Sequence, residues 1–358
     1  MTSTAQADAL RATLWLRRLA LAAVLLGFGV VMLGAYVRLT AAGLGCPDWP
    51  GCYGHVTPIG AAQSAALGSI PSGTPLDLGK AWREMIHRYA ASTLGLVIVL
   101  ITALVIAARD AVTVSTRYVI LLLGTVVLQG ALGMLTVTWQ LKPLIVTLHL
   151  LFGMTTLALL WWLWLSLRAP RAETAAGRHA APHVPRLGLQ RRLVYLALGV
   201  LIVQIALGGW TSSNYAAIAC PDFPTCQNSW WPAMDFRDAF VLWRAPSINY
   251  EGGVLANTAR VAIHFTHRMG ALVTTATLLA AAFAVLRQPA PRAAYLAAAG
   301  VIAALALQLT LGISMVLRGF PLWLATAHNG GAALTLLAVI ALLHGLCRTT
   351  SSAADAGI

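Results

Sequence analysis

The sequence predicts an all-α membrane protein in which eight transmembrane helices form two pseudo-twofold-related four-helix bundles. Three observations lead to this fold class. Of the 358 residues 59% are hydrophobic and only 10% are charged, eight long stretches carry no Asp, Glu, Lys or Arg, and an unusual set of motifs occurs twice. Soluble domains have about 25% charged residues. The composition therefore excludes an ordinary soluble protein.

The charge-free stretches are close to the ~20 residues that cross a ~30 Å hydrocarbon core. They lack the alternation of a strand, and lipid cannot satisfy free backbone groups, so helices are expected. The first run is longer than the apolar core of a signal peptide, so we expect it to stay attached. The predicted spans are Leu19–Val37, Tyr89–Ala108, Tyr118–Leu141, Pro143–Leu167, Leu193–Pro221, Met269–Leu286, Ala293–Leu317 and Gly319–Cys347.

The net charge of +13 is explained by topology rather than by a nucleic-acid partner. Arginine clusters fall on one side of the membrane when the N-terminus is inside, as the positive-inside rule requires. We therefore expect a multi-pass protein in membrane lipid, with cytoplasmic N- and C-termini. No Arg- and Ser-rich transit peptide precedes the first span, which favours a bacterial plasma (inner) membrane. The clusters are Arg11 to Arg18, Arg109 to Arg117, Arg168 to Arg192, Arg287 to Arg292, and Arg348.

An internal repeat divides the chain nearly in half. Because each half has four helices, it begins and ends on the same side, and equivalent residues lie at equal depth. The predicted parts are an N-terminal bundle (1–167), a cytoplasmic linker (168–190), a C-terminal bundle (191–348) and a disordered tail (349–358). The repeated motifs are Cys46-Pro-Asp-Trp-Pro-Gly-Cys52 with Cys220-Pro-Asp-Phe-Pro-Thr-Cys226, His87-Arg88 with His267-Arg268, Gln129-Gly-Ala-Leu-Gly133 with Gln308-Leu-Thr-Leu-Gly312, and His149 with His328.

Each cysteine pair lies in the loop after the first helix of its half, which the charge rule places outside. An oxidising compartment favours the disulfides Cys46–Cys52 and Cys220–Cys226, and Pro and Asp supply turn chemistry. Zinc is the competing interpretation, but it needs two more ligands per pair, and His55 is the one nearby candidate. Whether the disulfides are structural or redox-active stays open, with the structural role favoured.

Four of the nine histidines form two pairs near the outer boundary. Pro143 and Pro321 fit the first turn of their helices, which puts His149 and His328 about two turns, or roughly 10 Å, inside. His87 and His267 begin the apolar parts of the second and sixth helices. A lone histidine would be a hydrogen-bonded interfacial residue, but two pairs at matching depth suit a flat ring with one imidazole on each side, as in haem.

Charged neighbours of the histidines suggest further roles. Arg88 and Arg268 could pair with haem propionates or extend to the lipid headgroups, and the two interpretations are equally weighted. Glu84 precedes His87 by one helical turn. A carboxyl group there is solvated at the interface or relays protons and stabilises charge. Its equivalent in the second half is His264, which is a candidate for supporting a ligand or for serving as an alternative ligand. We therefore expect chemistry in the first half and a permanent cofactor in the second.

These residues resemble the haem A synthase family over nearly the whole chain. The resemblance rests on Gly43-Leu-Gly-Cys-Pro-Asp-Trp-Pro50, on Glu84-x-x-His87-Arg88, on His149 and on their second-half counterparts. It implies an eight-helix, pseudo-twofold bundle that oxidises a ring methyl of haem O to a formyl group, giving haem A for terminal oxidases. Some members lack the cysteines, so the disulfides are not essential to the chemistry throughout the family.

The resemblance also implies site roles. His87 and His149 are candidate ligands for the substrate haem O, and Glu84 is the candidate acid/base or charge stabiliser. His267 and His328 would ligate the iron of a resident haem b. Expected partners are haem O, the haem O synthase that supplies it, and an electron acceptor of unknown identity, with a homo-oligomer left open.

Two questions stay open from the sequence. The long outer loop between Cys226 and Arg260 holds Trp230, Trp231 and Trp243, and is either a lid over the second haem or a docking surface. The alternative function is a bis-histidine membrane cytochrome b that passes electrons, linked to quinone, without modifying haem. The contrast of Glu84 with His264 favours the enzyme, because an electron carrier gains nothing obvious from it.

Overall fold

The computed structural model describes residues 3–68, 76–109, 111–112, 114–168, 187–245 and 248–354. Within these ranges the chain forms ten α-helices, one short 3-10 helix and no β-strand. Eight of the helices are long and apolar enough to cross a membrane. The predicted fold class, an all-α protein with eight spans, is confirmed.

The segments that join the spanning helices differ in length, and those after the first and the fifth spanning helix each hold a small helix. The spanning helices are α1 (Ser3–Leu39), α3 (Leu78–Ala107), α4 (Thr116–Thr138), α5 (Pro143–Arg168), α6 (Leu187–Ser213), α8 (Asn257–Leu286), α9 (Arg292–Leu317) and α10 (Leu322–Ala354); the small ones are α2 (Pro58–Ala66) and α7 (Phe236–Ala239).

Several helices extend beyond the charge-free runs or stop before they do. Helix α3 starts at Leu78, eleven residues before the predicted span, because charged side chains are tolerated in the outer turns of a helix. Its N-cap is Asp77, which accepts a hydrogen bond from the Lys80 N–H, and this bond lowers the pKa of the Asp77 carboxyl. Helix α6 ends at Ser213 rather than near Pro221, because the chain turns at Tyr215, whose φ is +53°.

Helix α10 lies at the centre of the described bundle. It packs against α1, α5, α6 and α9, and 72% of its most apolar stretch is buried, against at most 33% in the other spanning helices. Small side chains allow this close packing, since Ala333 is fully buried. The two halves therefore share one apolar core, whose largest fully buried side chains include Leu157, Leu160, Leu278 and Leu342.

The structure repeats local features at matching positions of the two halves. In each half the second residue after the first helix has a positive φ, Ala41 in one and Tyr215 in the other. Both cysteine loops close with the same isolated bridge, at Cys52 and at Cys226. Helix contacts also repeat, with α1 on α3 and α4 on α5 in the first half, and α6 on α8 and α9 on α10 in the second. These matches support the repeat, while the pseudo-twofold relation stays a prediction.

The predicted linker and tail are only partly covered by the structure. Residues 169–186 of the linker lie outside the described residues, and residues 187–190 already belong to α6. Helix α10 continues to Ala354, within the predicted tail, and the division of the chain into these parts stays a prediction. The last four residues, 355–358, lie outside the described residues.

Candidate haem sites

Both cysteine pairs form disulfides, as predicted, and each disulfide loop is fastened to the second helix of its half. Among the residues that the structure describes, no cluster of three or more metal-binding side chains exists, and His55 instead contacts the Ser64 hydroxyl at 2.7 Å. The first loop lies directly on α3, because a Cβ at Gly45 would meet the backbone of Lys80 at 2.6 Å.

Glu84 is buried beneath the first disulfide loop, with 4% of its surface exposed. Its Oε2 accepts a hydrogen bond from the Cys46 N–H at 2.9 Å, and its Oε1 accepts one from Arg88 Nη2 at 2.6 Å. A buried carboxylate is costly unless it is paired in this way. The ion pair and the amide therefore fix the carboxyl group between the disulfide loop and the helix that carries His87.

The two predicted arginines fasten the loops over the histidine helices. Arg88 donates to the Asp48 carbonyl at 3.0 Å as well as to Glu84. Arg268 donates to the carbonyls of Cys220 at 3.1 Å and Asp222 at 2.8 Å. The predicted pairing of these guanidinium groups with propionates stays a prediction, and the structure adds a loop-holding role that the sequence did not indicate.

His264 occupies the place of Glu84 in the second half. It is equally buried, at 4% exposure, and its Nε2 lies 3.3 Å from Arg268 Nε. The matched arginines thus contact a carboxylate in one half and an imidazole in the other. The asymmetry expected from the sequence is present in otherwise similar surroundings.

Each of the four predicted ligand histidines packs on a glycine of a neighbouring helix. A Cβ added at any of these glycines would lie 2.9 to 3.3 Å from the imidazole Cε1, closer than ordinary packing allows. Glycine therefore lets the ring lie against the helix backbone at each position. The pairs are His87 with Gly34, His149 with Gly133, His267 with Gly208, and His328 with Gly312.

Three glutamines contact the candidate ligand histidines. Gln129 Nε2 donates to the His149 carbonyl at 2.8 Å. Gln308 Nε2 lies 3.2 Å from His328 Nε2. If that nitrogen bound an iron, this contact would be lost. Gln204 Nε2 lies 3.0 Å from the carbonyl O and 3.1 Å from the Nδ1 of His267.

The residues present fit a haem in each half. The two imidazoles of a half lie on different helices. All four histidines are partly buried residues. The buried Nδ1 atoms of His87, His149 and His328 make no hydrogen bond. An axial ligand uses one ring nitrogen and leaves the other for a supporting contact.

An apolar groove elsewhere in the bundle does not belong to these sites. It has a volume of about 400 Å³ and lies between α4, α5, α6 and α10, where Leu151, Leu159 and Leu336 line it. None of the four histidines borders it.

The long outer loop of the second half reaches across to the first half. The Trp243 ring meets Trp139 edge to face, with ring centroids 5.5 Å apart, and the Lys142 ammonium lies 3.3 Å from the Trp243 ring centre. The Tyr250 N–H donates to the Gln140 carbonyl at 3.1 Å. This part of the loop therefore covers the first half, whereas the sequence placed a possible lid over the second. Trp230 and Trp231 are exposed, at 73% and 74%.

Sequence reasoning missed several of these residues. Gly34 and Gly208 are 174 residues apart, the offset of the cysteine loops, so the repeat could have found them. Gln204 has no such signal, because its counterpart is Val30. Arg38 was also missed, although its guanidinium donates to the Ser212 carbonyl and thereby joins the two halves.

Known proteins resemble this chain over most of its length. The family model described as cytochrome oxidase assembly protein matches residues 17–340. A heme A synthase of Shewanella oneidensis is 41% identical over 94% of this chain and 98% of the relative. Heme A synthases of Paracoccus denitrificans and Methylorubrum extorquens are 29% and 31% identical, over 88% and 95% of this chain and 83% and 87% of theirs. The chain therefore belongs to the cytochrome oxidase assembly protein family that includes the heme A synthases.

Proposed function

We propose that this protein is a haem A synthase, an oxidoreductase that converts a ring methyl of haem O to a formyl group and so supplies haem A for terminal oxidases. The first half binds haem O as substrate between His87 and His149. The second half holds a resident haem b between His267 and His328, and this cofactor supplies one-electron chemistry when it is bound.

The contrast between Glu84 and His264 carries the proposal. The two residues share depth, burial and an arginine neighbour, yet only the first half offers a carboxylate. An electron-carrying cytochrome gains nothing obvious from a single buried acid, whereas oxidation of a methyl group releases protons that a nearby carboxylate can accept.

The chain's own residues set the conditions of the reaction. Conversion of a methyl to a formyl group removes four electrons and adds one oxygen atom from water or dioxygen. Glu84 is held one helical turn outward from His87, where it can take up a proton or stabilise developing positive charge. The disulfide loop and Arg88 fix the position of this carboxylate and shield it from bulk solvent.

Membrane topology determines how substrate and electrons reach the site. The arginine clusters favour cytoplasmic termini and place both disulfide loops outside, in a bacterial inner membrane. Haem O carries a long apolar tail and is delivered from the membrane or by a haem O synthase bound to this protein. A separate electron acceptor completes the oxidation. Several copies of the chain assemble into a homo-oligomer in one form of this proposal.

Haem analysis in a host that makes haem O but no haem A tests the function. Expression of this chain should produce extractable haem A, identified by the shifted haemochrome band of a formyl-bearing porphyrin. A chain that binds haem b tightly in both halves and leaves haem O unchanged would instead be the bis-histidine cytochrome.

A further inference from the structure

The second half contains a side-chain support for its first ligand histidine that the first half lacks. Gln204 lies on α6 and contacts both the ring Nδ1 and the carbonyl O of His267, at 3.1 and 3.0 Å. Its amide therefore fixes the imidazole against rotation relative to the helix that carries it.

The neighbouring helix makes room for this amide. Gly270 lies one turn inward from His267, and a Cβ there would collide with Gln204 Oε1. At the matching positions of the first half the residues are Val30 and Ala90. The glutamine and its glycine thus occur together in one half and are both absent from the other.

His87 has no equivalent side-chain support. It packs on Gly34 as His267 packs on Gly208, but its buried Nδ1 makes no hydrogen bond. The side chain of Val30 cannot form one. The main-chain carbonyl of Val30 does interact with His87, but a carbonyl inside a helix is already an acceptor for the helix's own N–H group.

The difference is confined to one histidine of each pair. Gln129 and Gln308 occupy matching places, where Gln129 donates to the main-chain carbonyl of His149 and Gln308 Nε2 lies 3.2 Å from the ring Nε2 of His328. Both halves therefore carry a glutamine at the second histidine, whereas only the second half carries one at the first histidine.

We propose that Gln204 is a positioning residue that keeps His267 as a permanent axial ligand, and that His87 is the ligand that leaves to open a coordination position on the substrate. The proposal rests on the proposed function, because it assumes haem O in the first half. Contact with the Gln204 amide limits rotation of the His267 ring, whereas the His87 ring has no side-chain contact of this kind and can rotate away. Release of His87 would give the substrate iron the open position that two permanent ligands deny it.

Carbon monoxide tests the second half, because it binds a reduced haem only where a coordination position opens. The full-length chain with His87→Ala and His149→Ala retains haem b in the second half alone. Adding Gln204→Met should raise the CO-bound fraction at least tenfold. The matched control is Gln190→Met, since Gln190 lies on the same helix, is also shielded from solvent, with 2% exposed, and donates to the Ala284 carbonyl of the same neighbour at 3.0 Å.

The second-half outcomes separate support from general packing. Equal CO binding in Gln204→Met and Gln190→Met would overturn the proposal. If Gln204→Met loses haem b altogether, Gln204→Glu decides, because a carboxylate also supports an axial imidazole. Retention of haem b in Gln204→Glu supports the positioning role, and loss in both variants overturns it.

A transplant tests the first half. Val30→Gln with Ala90→Gly gives His87 the support of His267 and the space for it. The variant should keep haem O bound, lose CO binding at that site and make haem A at least tenfold more slowly. Unchanged CO binding and turnover would overturn the proposal.

The experiments also separate this inference from the proposed function. If the chain with His87→Ala and His149→Ala binds no haem b, the assignment of the resident cofactor fails as well. Normal haem b content with no effect of Gln204→Met overturns this inference alone.

Discussion

A carboxylate and an imidazole occupy matching positions beside the two candidate haem sites, each in contact with an arginine. The sequence was sufficient to find this contrast, because Glu84 and His264 each precede a repeated His-Arg motif by three residues. It could not show that Glu84 also accepts the Cys46 N–H, because that contact depends on how the loop folds back onto α3.

Replacement of Glu84 by Gln tests its catalytic role. Glutamine can still accept the Cys46 N–H but cannot take up a proton, so haem binding should persist while haem A formation falls at least tenfold. Extracted haems from the purified variant measure both quantities. Glu251→Gln is the control, since Glu251 forms an outer ion pair with Lys80 at 3.5 Å, 31% exposed. Unchanged turnover in Glu84→Gln would remove the carboxylate from the mechanism.

The supporting glutamines mark the limit of residue-level prediction. The repeated motif that begins with Gln129 in one half and with Gln308 in the other is apparent from the sequence. The contacts of these glutamines with His149 and His328 are not, because they depend on helix rotation and on how closely two helices approach. The role of Gln204 could not be predicted from the repeat, because the matching residue of the first half is Val30. A residue that differs between two copies gives no signal until the structure shows what each copy contacts.

At the scale of elements, the disulfide loops connect sequence motif to site geometry. Each loop is fastened by an arginine of the helix that carries a ligand histidine. The spacing of the cysteines and the outer location were enough to predict the disulfides. The contacts of the arginines with loop carbonyls were not predictable, because every residue has a backbone carbonyl whatever its side chain.

Removal of each disulfide should have a different effect in the two halves. By loop closure, each bond stabilises the folded chain by about 2 kcal/mol, so Cys46→Ser with Cys52→Ser and Cys220→Ser with Cys226→Ser should both lower the unfolding temperature. The first pair should also slow haem A formation by releasing the Cys46 amide from Glu84, and the second should lower haem b content. Haem content and turnover measured on both variants check this, and identical profiles would contradict it.

The loop that crosses between the halves should contribute to stability through Trp243. An edge-to-face aromatic pair and a cation–π contact together are worth about 1–2 kcal/mol, so Trp243→Ala should lower the unfolding temperature and speed protease cleavage of the outer loop. Trp230→Ala is the matched control, because its ring is 73% exposed. Equal effects of the two substitutions would show that the loop does not depend on this contact.

At the scale of the whole molecule, hydropathy and the repeat were enough to predict eight spanning helices and their order. The predicted span ends differ from the helix ends by up to sixteen residues, as at the start of α1, because absence of charge does not detect helix caps or turns. The central place of α10 was not predictable either, since all eight spans have similar hydropathy.

The arginine clusters predict the membrane orientation, and this prediction can be measured directly. A fluorescent protein that matures only in the cytoplasm should fluoresce when it is fused to the C-terminus. A periplasmic reporter inserted near Gln227, in the outer loop, should be active in the same membranes. The reverse pattern would place the disulfide loops in a reducing compartment and contradict the topology.

The central claim is that each half holds its own haem between two histidines, and pyridine-haemochrome analysis tests it most directly. Purified wild-type chain should carry haem b together with haem O or haem A. His87→Ala should keep haem b and lose the other haem, whereas His267→Ala should lose haem b. Equal loss of every haem in both variants, or no loss in either, would contradict two separate sites.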